Sequence, residues 1–314
     1  MLRPRDRRND LLLVETDAPP ALLRAAIVED VFALIADRTF DSPPHVRDIA
    51  ALLARPAFER ALALHHAMRP KRRSRSYKVV ARVRGRQRFR RDEVHDVCER
   101  ALAALLPHWV PREDATLALW AHAIGNRALV GVRLSDDTVA GRRYKRAHLP
   151  ASLKPTIARA LVLLVGTDAG DVVVDLMCGA GTLLRERADA GPARLVLGGD
   201  IDAEVIAAAR TNVTRSAQLA RWDAKRLPLR PASVDALITN PPYGRQHPAA
   251  SLRRLYREMA REYARVLRPG GRCVVLASEP AVLREALPQQ LATRRRLALV
   301  MRGLDVTAVV LSRR

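Results

Sequence analysis

The fold is decided by the stretch Asp171-Val172-Val173-Val174-Asp175-Leu176-Met177-Cys178-Gly179-Ala180-Gly181-Thr182. Its β-branched run predicts a buried strand, and the two glycines predict a tight turn. The residues from Leu183 to Ala188 continue with a helical pattern. A helix that starts directly after a glycine turn offers free backbone N–H groups to a carboxylate or a phosphate. This order of elements predicts an α/β sheet with a ligand-binding loop at a strand's carboxyl end.

Two further acids follow short apolar runs. Arg194–Gly199 predicts a second strand, and it ends at Asp200, where a carboxylate can accept hydrogen bonds from ribose hydroxyls. Trp222-Asp223-Ala224 follows a third run. Asp223 is placed to accept a hydrogen bond from the N6 amine of adenine; the alternative is an ordinary solvated acid in a loop. Leu184 stands where the dinucleotide fingerprint needs its third glycine, which disfavours NAD. A nucleoside without a pyrophosphate therefore remains.

A fourth apolar run, Val234–Thr239, leads into Asn240-Pro241-Pro242-Tyr243-Gly244. Two consecutive prolines fix their own φ and hold the preceding residue extended, so Asn240 is expected in a stiff loop. Its amide oxygen and the Pro241 carbonyl suit an exocyclic amine, on whose base the ring of Tyr243 would stack. The alternative is an ordinary proline-rich turn.

From about Pro150 onward, this series resembles the Rossmann-like S-adenosylmethionine methyltransferases that act on exocyclic amines. The resemblance implies a seven-stranded sheet, closed by an antiparallel hairpin across Gly303, and S-adenosyl-L-methionine as cofactor. It implies that the target nitrogen is oriented by the catalytic loop Asn240, Pro241, Pro242 and Tyr243. The cofactor-binding residues that it implies are Asp175, Cys178, Gly179, Gly181, Thr182, Asp200, Ile201, Asp223, Ala224 and Asn240.

The chain is strongly basic, with 55 Lys+Arg against 33 Asp+Glu, a net charge of +22 and a pI near 11.3. Such an excess favours a polyanionic partner, and nucleic acid above all. Lys71 to Arg91 contains eleven basic residues and no acid. Cationic and apolar residues alternate there, which predicts a strand with one cationic face, although a merely solvated surface is the alternative. The cationic set is Lys78, Arg82, Arg84, Arg86, Arg88 and Arg90.

The N-terminal half has its own pattern. Helices are expected at residues 21–36, 46–64 (kinked or split at Pro56) and 91–106, and strands at 116–121 and 128–134 around Gly125-Asn126. The segment from about Pro44 to Arg146 resembles a THUMP domain, an RNA-binding module that docks on the acceptor end of tRNA. Residues 142–155 resemble the junction of THUMP-containing guanine N2-methyltransferases. The RNA contacts expected on this basis are Lys78, Arg82, Arg84, Arg86, Arg88, Arg142, Arg143, Lys145, Ser152 and Lys154.

The predicted architecture is therefore of the α/β class, with an α+β THUMP and ferredoxin-like region before the methyltransferase sheet. We expect a partial ferredoxin-like region at residues 1–65, whose beginning is missing, and a THUMP domain at 66–140. A linker at 141–155 and a methyltransferase domain at 156–314 follow. Neither a metal nor a disulfide is expected, because the three cysteines are scattered. With no membrane-spanning stretch or secretory signal in the sequence, we expect cytoplasmic residence.

These features favour transfer of a methyl group to the N2 amine of a guanosine in tRNA, in or near the acceptor stem. The alternatives are N-methylation of ribosomal RNA, of DNA adenine or of a protein glutamine, since similar loops serve all three. A non-enzymatic RNA-binding protein is the remaining alternative. The oligomeric state is left open.

Overall fold

The structure, a computed structural model, describes residues 3–8, 11–69, 75–136, 139, 142–150, 152–243, 249–301 and 303–314. It comprises two compact units, Met1–Val139 and Ala140–Arg314. The basic residues Lys71 to Arg73, and Gly244 after the proline loop, lie outside the described residues.

The N-terminal unit contains a two-stranded sheet and a five-stranded sheet whose strand order is β3-β7-β6-β4-β5. The hairpin β6–β7 turns at Gly125-Asn126 as predicted, and β4 lies parallel to β6. The strands are β1 (Arg3–Arg8), β2 (Leu11–Glu15), β3 (Phe32–Thr39), β4 (Ser76–Arg84), β5 (Val110–Pro111), β6 (Leu117–Ile124) and β7 (Arg127–Arg133). The helices are α1 (Pro19–Leu22), α2 (Val46–Ala50), α3 (Arg55–Met68) and α4 (Arg91–Leu105).

The core of this unit lies between one face of the five-stranded sheet and the helices α2 to α4. Val79 and Ala81 of β4 are buried there, beside Val94 and Cys98 of α4. The predicted alternation of β4 is thus confirmed within the strand, because Tyr77, Val79 and Ala81 face the helices while Arg82 and Arg84 are exposed.

Three predictions for this unit need comment. The helix predicted at residues 21–36 is wrong: α1 is only one turn, and Phe32–Thr39 forms β3, which pairs with β7 across most of its length. Long-range pairing overrides local helix propensity there. The break expected near Pro56 is confirmed, since α2 ends at Ala50 and α3 begins at Arg55. The cationic strand ends earlier than predicted, because Gly85 turns the chain with a φ of 79°, so Arg86, Arg88 and Arg90 follow the strand.

The C-terminal unit is built on a seven-stranded sheet of order β10-β9-β8-β11-β12-β14-β13, which confirms the predicted strand number. Neighbours from β10 to β12 are parallel, and β14 is antiparallel to both β12 and β13. The strands are β8 (Val172–Asp175), β9 (Leu195–Asp200), β10 (Gln218–Arg221), β11 (Val234–Thr239), β12 (Leu267–Ala277), β13 (Leu291–Met301) and β14 (Leu304–Arg313). The helices are α5 (Pro155–Val165), α6 (Thr182–Ala188), α7 (Ala203–Val213), α8 (Ala249–Val266) and α9 (Pro280–Ala286).

Helices cover both faces of this sheet. Leu161 and Val162 of α5 pack on one face, and Tyr256 and Tyr263 of α8 pack on the other. Because both faces are buried, the central strands read as continuous apolar runs, and all six residues of β11 are buried. Order reverses between β8 and β11, so a crevice is expected at the carboxyl ends of these two strands.

Candidate active site

The loop after β8 contains one position where only glycine fits the backbone and its surroundings. Gly181 has a φ of 76°, and a Cβ there would lie 2.4 Å from Val213 Cγ2. Gly179 has a φ of 50° and nothing within 4 Å of its Cβ position, so its backbone faces open space. The loop is held by the Cys178 N–H, which donates to the Gly199 carbonyl at 2.9 Å. Cys178 itself is buried, and so is Thr182 at the start of α6.

Asp175, the last residue of β8, is a buried acid with incomplete hydrogen bonding. The residue is 2% exposed, and Oδ1 accepts a long hydrogen bond from the Met177 N–H at 3.3 Å. Within the described residues, Oδ2 has no hydrogen-bond partner. Burial raises the pKa of Asp175 to about 8, and the negative charge of Asp200 acts in the same direction, while the Met177 N–H and the Thr239 hydroxyl oppose them. A cationic ligand group beside Oδ2 would compensate this carboxylate.

Asp200 joins the ends of β8 and β9. Its Oδ2 accepts from the Gly179 N–H at 3.1 Å, and Oδ1 accepts from the Asp202 N–H at 3.3 Å. The carboxylate is half-buried, and each of its oxygens keeps a lone pair for a further donor. The next residue, Ile201, is 55% exposed. An acid beside an exposed apolar side chain suits a ribose and the base attached to it.

Trp222 connects the end of β10 to the carboxyl ends of β9 and β8. Its N–H donates to the Asp200 carbonyl at 3.0 Å, and its indole Nε1 donates to the Leu176 carbonyl at 2.9 Å. The ring fills the space over Gly199, where a Cβ would lie 2.3 Å from it. Asp223 follows with its carboxylate bonded to the Lys225 N–H at 2.9 Å, and Ala224 is buried.

The proline loop begins where β11 ends. The hydroxyl of Tyr243 donates to Oδ1 of Asn240 at 2.8 Å, which fixes the amide with its oxygen toward the tyrosine and leaves that oxygen one lone pair. Pro241 is buried and Asn240 is half-buried. Burial raises the pKa of Tyr243, so its hydroxyl stays protonated as a donor. The sequence predicted the tyrosine ring as a stacking surface but missed this orienting hydrogen bond.

The sheet brings the predicted cofactor residues to one edge. β10, β9, β8 and β11 are adjacent and parallel, so their carboxyl ends, and with them Asp223, Asp200, Asp175 and Asn240, share that edge. A surface cavity of about 400 Å³ lies near the amino ends of β9 and β10, lined by residues 188, 191–196 and 215–218, and contains none of them.

The predicted RNA contacts fall into two groups. Those around β4 belong to the N-terminal unit: Arg82 and Arg84 are exposed, and Lys78 Nζ donates to the Glu113 carbonyl at 2.9 Å. Arg86 and Arg88 lie in the turn after β4.

The second group precedes α5 in the C-terminal unit and is partly engaged within it. Arg142 Nε donates to Glu186 Oε1 at 3.1 Å, and Lys145 Nζ donates to the Leu153 carbonyl at 2.6 Å. Arg143 and Lys154 are exposed, and the buried Ser152 Oγ has no partner within the described residues. RNA contact by either group stays a prediction.

Sequence reasoning missed Asn212, a buried amide on α7. It is 1% exposed and accepts hydrogen bonds from the N–H groups of Arg146 and Ala147 at 2.8 and 2.9 Å. Its Nδ2 donates to the carbonyls of Ala147 and Ala180, each at 2.9 Å. Asn212 therefore holds the glycine loop and the segment before α5 together. A polar residue on a buried helix face was the available signal, but its partners lie too far along the chain to be read.

The described residues contain neither a membrane-spanning helix nor a metal-binding cluster. No helix among them is both long and apolar enough to span a bilayer. Among the same residues, no three His, Cys, Asp or Glu side chains come close enough together to ligate a metal.

The fold and this edge define a methyltransferase domain, and comparison with known proteins agrees. Residues 142–308 match the UPF0020 family model, described as RMKL-like, methyltransferase domain. The chain belongs to this family, which confirms the predicted methyltransferase and its Rossmann-like α/β fold.

Individual relatives extend the match. The tRNA (guanine(6)-N2)-methyltransferase of Thermus thermophilus is 33% identical over 70% of this chain and 67% of its own length. The U6 snRNA (guanine-N(2))-methyltransferase THUMPD2 of Mus musculus is 32% identical over 53% of this chain but only 31% of its own length. The crystal structure of TrmN from Thermus thermophilus superposes with a TM-score of 0.76 at 28% identity, covering 96% of this chain and 89% of that one.

Proposed function

We propose that this protein transfers a methyl group from S-adenosyl-L-methionine to the exocyclic N2 amine of a guanosine in tRNA, in or near the acceptor stem. The observation that carries the proposal is the Asn240–Tyr243 loop on the sheet edge that also holds Asp175 and Asp200. The identity of 33% to a tRNA guanine-N2 methyltransferase supports the substrate.

The residues at this edge fit S-adenosyl-L-methionine. The unpartnered Oδ2 of Asp175 suits the amino acid part, which carries an ammonium, and the open backbone of Gly179 leaves room for it. Asp200 would hold the ribose hydroxyls, and Ile201 and Ala224 would flank the adenine. Asp223 would accept a hydrogen bond from the adenine amine. When bound, this cofactor supplies a methyl group already activated on a sulfonium.

The chain's own task is then to orient the acceptor nitrogen. The exocyclic amine of guanine is a poor nucleophile because its lone pair is delocalised into the ring. The remaining lone pair of Asn240 Oδ1 and the carbonyl of Pro241 would accept its two N–H protons and concentrate the lone pair on nitrogen. The hydroxyl of Tyr243 holds Asn240 in this orientation. The excess amine proton would leave to water after the N–C bond forms.

The N-terminal unit would bind the RNA. The basic set on β4 supports this part of the proposal, together with the net charge of +22, and the exposed Arg143 and Lys154 of the C-terminal unit would add further contacts. We further propose the division into a partial ferredoxin-like region (1–65), a THUMP domain (66–140), a linker (141–155) and a methyltransferase domain (156–314). Cytoplasmic residence stays a prediction.

The test is methyl transfer from labelled S-adenosyl-L-methionine to total tRNA, ribosomal RNA, DNA and protein, followed by digestion of the RNA to nucleosides. Labelled N2-methylguanosine from tRNA is expected. Recovery of the label in N6-methyladenosine, DNA or protein would overturn the guanine assignment, and binding of RNA without any transfer would favour a non-enzymatic protein.

The variant Asn240→Ala should lower kcat by about 10²–10³-fold, the typical effect of removing one polar group that acts on the reacting centre. Gln289→Ala, which removes an exposed amide, is the matched control and should leave kcat unchanged. Full activity of Asn240→Ala would remove the central residue of the mechanism.

A further inference from the structure

One face of the five-stranded sheet carries aromatic rings and arginines together. In the register of β4 and β6, Val80 pairs with Trp120 and Arg82 pairs with His122, so these side chains project from the same face. This face is opposite to the one on which Val79, Ala81 and Ala121 pack against the helices. We refer to Phe32, Arg82, Arg84, Trp120 and His122 as the arginine–aromatic face.

The rings of this face contact one another and are only partly buried. Trp120 and His122 are stacked, with centroids 5.6 Å apart and an interplanar angle of 24°. Phe32 of β3 tilts against Trp120 at 5.3 Å and meets the edge of His122 at 6.1 Å. None of the three belongs to the apolar core cluster of this unit. Hydrophobic burial in the core therefore does not account for three rings at this place.

One arginine of this face lies over the Trp120 ring. The guanidinium carbon of Arg82, an exposed residue, is 5.4 Å from the centroid of the Trp120 ring. Burial lowers the pKa of His122, and Arg82 and Arg84 lower it further, with Asp30 opposing them. His122 is therefore a neutral, flat ring at neutral pH. The buried Nε1 of Trp120 donates to no acceptor within the described residues.

We propose that the arginine–aromatic face is a stacking platform for unpaired nucleotides of the RNA substrate. This inference rests on the proposed function, since it assumes that the substrate is RNA. Bases of a single strand expose their π faces and can stack on Trp120 and His122 while arginines contact the phosphates. A duplex hides those faces and presents phosphates, which need cations but no rings. The juxtaposition of rings and guanidinium groups therefore favours single-stranded over double-stranded RNA.

The test compares two probes on the full chain: a labelled single-stranded octaribonucleotide, and the same strand annealed to its complement, both followed by fluorescence anisotropy. Trp120→Leu should weaken binding of the single strand by about 10–100-fold, because stacking contributes this much per base. Binding of the duplex should change by less than about twofold, since no phosphate contact is lost. Trp120→Phe keeps a flat ring and should restore most of the affinity, which separates loss of stacking from loss of folding.

Arg82→Gln tests the cationic part independently, because Arg82 is exposed and its replacement leaves the core intact. It should weaken binding and reduce the salt dependence by about one counterion. The matched control is Arg60→Gln, an equal loss of charge at an exposed site on α3, which packs on the opposite face.

Equal weakening of both probes by Trp120→Leu, or none, would overturn the platform, and so would an Arg60→Gln effect as large as that of Arg82→Gln. Methyl transfer to tRNA is measured separately. A protein that binds the single strand through Trp120 but transfers no methyl group would contradict the proposed function and leave the platform standing.

Discussion

Two regions of the C-terminal unit each bury a carboxylate, but they differ in the hydrogen bonds and ion pairs that they give it. Glu186 on α6 is 0% exposed, and both of its oxygens are bonded: Oε1 accepts from Arg142 Nε and from the Tyr144 hydroxyl, and Oε2 accepts from Arg159 Nε. Asp175 at the end of β8 is 2% exposed, but Oδ1 accepts a long backbone hydrogen bond, and Oδ2 has no hydrogen-bond partner within the described residues.

Both acids are buried, so the difference between them lies in their hydrogen-bond and ion-pair partners. A buried charge is tolerated where ion pairs and hydrogen bonds replace water, and Glu186 has such partners within the described residues. Asp175 has a destabilised charge and lies on the edge where ligands bind in α/β sheets. The comparison therefore assigns Glu186 to the stability of the unit and Asp175 to ligand binding.

The largest expected effect follows from removing the charge of Glu186. Glu186→Gln leaves Arg142 and Arg159 without their buried counter-charge, so the free energy of unfolding should fall by about 3–5 kcal/mol. Urea denaturation measures it. Glu258→Gln, which breaks the surface pair with Arg254, is the control and should cost less than about 1 kcal/mol. Equal losses in the two variants would remove the distinction between the pairs.

The second effect has the opposite sign for stability. Asp175→Asn should abolish most binding of S-adenosyl-L-methionine, at least about 100-fold in Kd, because the neutral amide cannot compensate a cation. The same change should raise Tm at pH 8 by about 2–5 °C, since it removes an uncompensated buried carboxylate. Calorimetry measures both quantities. A variant that loses stability and keeps its ligand affinity would reverse the assignment.

The pKa of Asp175 also predicts how the unliganded protein responds to pH. Its folded pKa of about 8 lies above the unperturbed 3.8, so the folded state binds more protons between these values. The stability contributed by Asp175 is thus fully present below about pH 4 and is lost as pH rises toward 8. In Asp175→Asn this decline should be absent, so the difference in Tm between variant and wild type should grow over that range.

Ligand affinity should follow the same ionisation in the other direction. The carboxylate is the form that attracts a cation, so Kd for S-adenosyl-L-methionine should fall by up to about tenfold per pH unit from pH 6 and level off above 8. Titration calorimetry at pH 7 in buffers of different ionisation enthalpy should detect proton release on binding. A Kd that is flat across this range would mean that Asp175 does not face the cation.

The sequence predicted the elements whose pattern is local. Val172–Asp175 reads as a strand because both faces of β8 are buried, and the order of Asp175, Asp200 and Asp223 follows from strands that alternate with helices. The closing hairpin of β13 and β14 was expected from the family resemblance. The candidate site was predictable to the extent that its residues directly follow such strands.

Features set by distant contacts were not predictable in this way. Phe32–Thr39 becomes a strand through its pairing with β7, about ninety residues later, and the local sequence carried a helical signal instead. Glu186 reads as an ordinary helix residue, since its partners Arg142 and Arg159 come from other segments. Trp120 and His122 share a face by the alternation of β6 alone, but the registers that bring Arg82 of β4 and Phe32 of β3 beside them are not encoded in any single segment.

The smallest effect tests whether the partners of Glu186 act as a unit. Tyr144→Phe removes one hydrogen bond to Oε1 (2.7 Å) but keeps the ring against Arg185. The free energy of unfolding should therefore fall by about 1 kcal/mol. Burial and the charge of Glu186 raise the pKa of Tyr144, so the hydroxyl is a donor at any working pH. In the Glu186→Gln background the same change should cost much less, because the charged acceptor is gone. Additive losses in that double-mutant cycle would mean that Tyr144 stabilises the unit through its ring, and that Glu186 is held by its arginines alone.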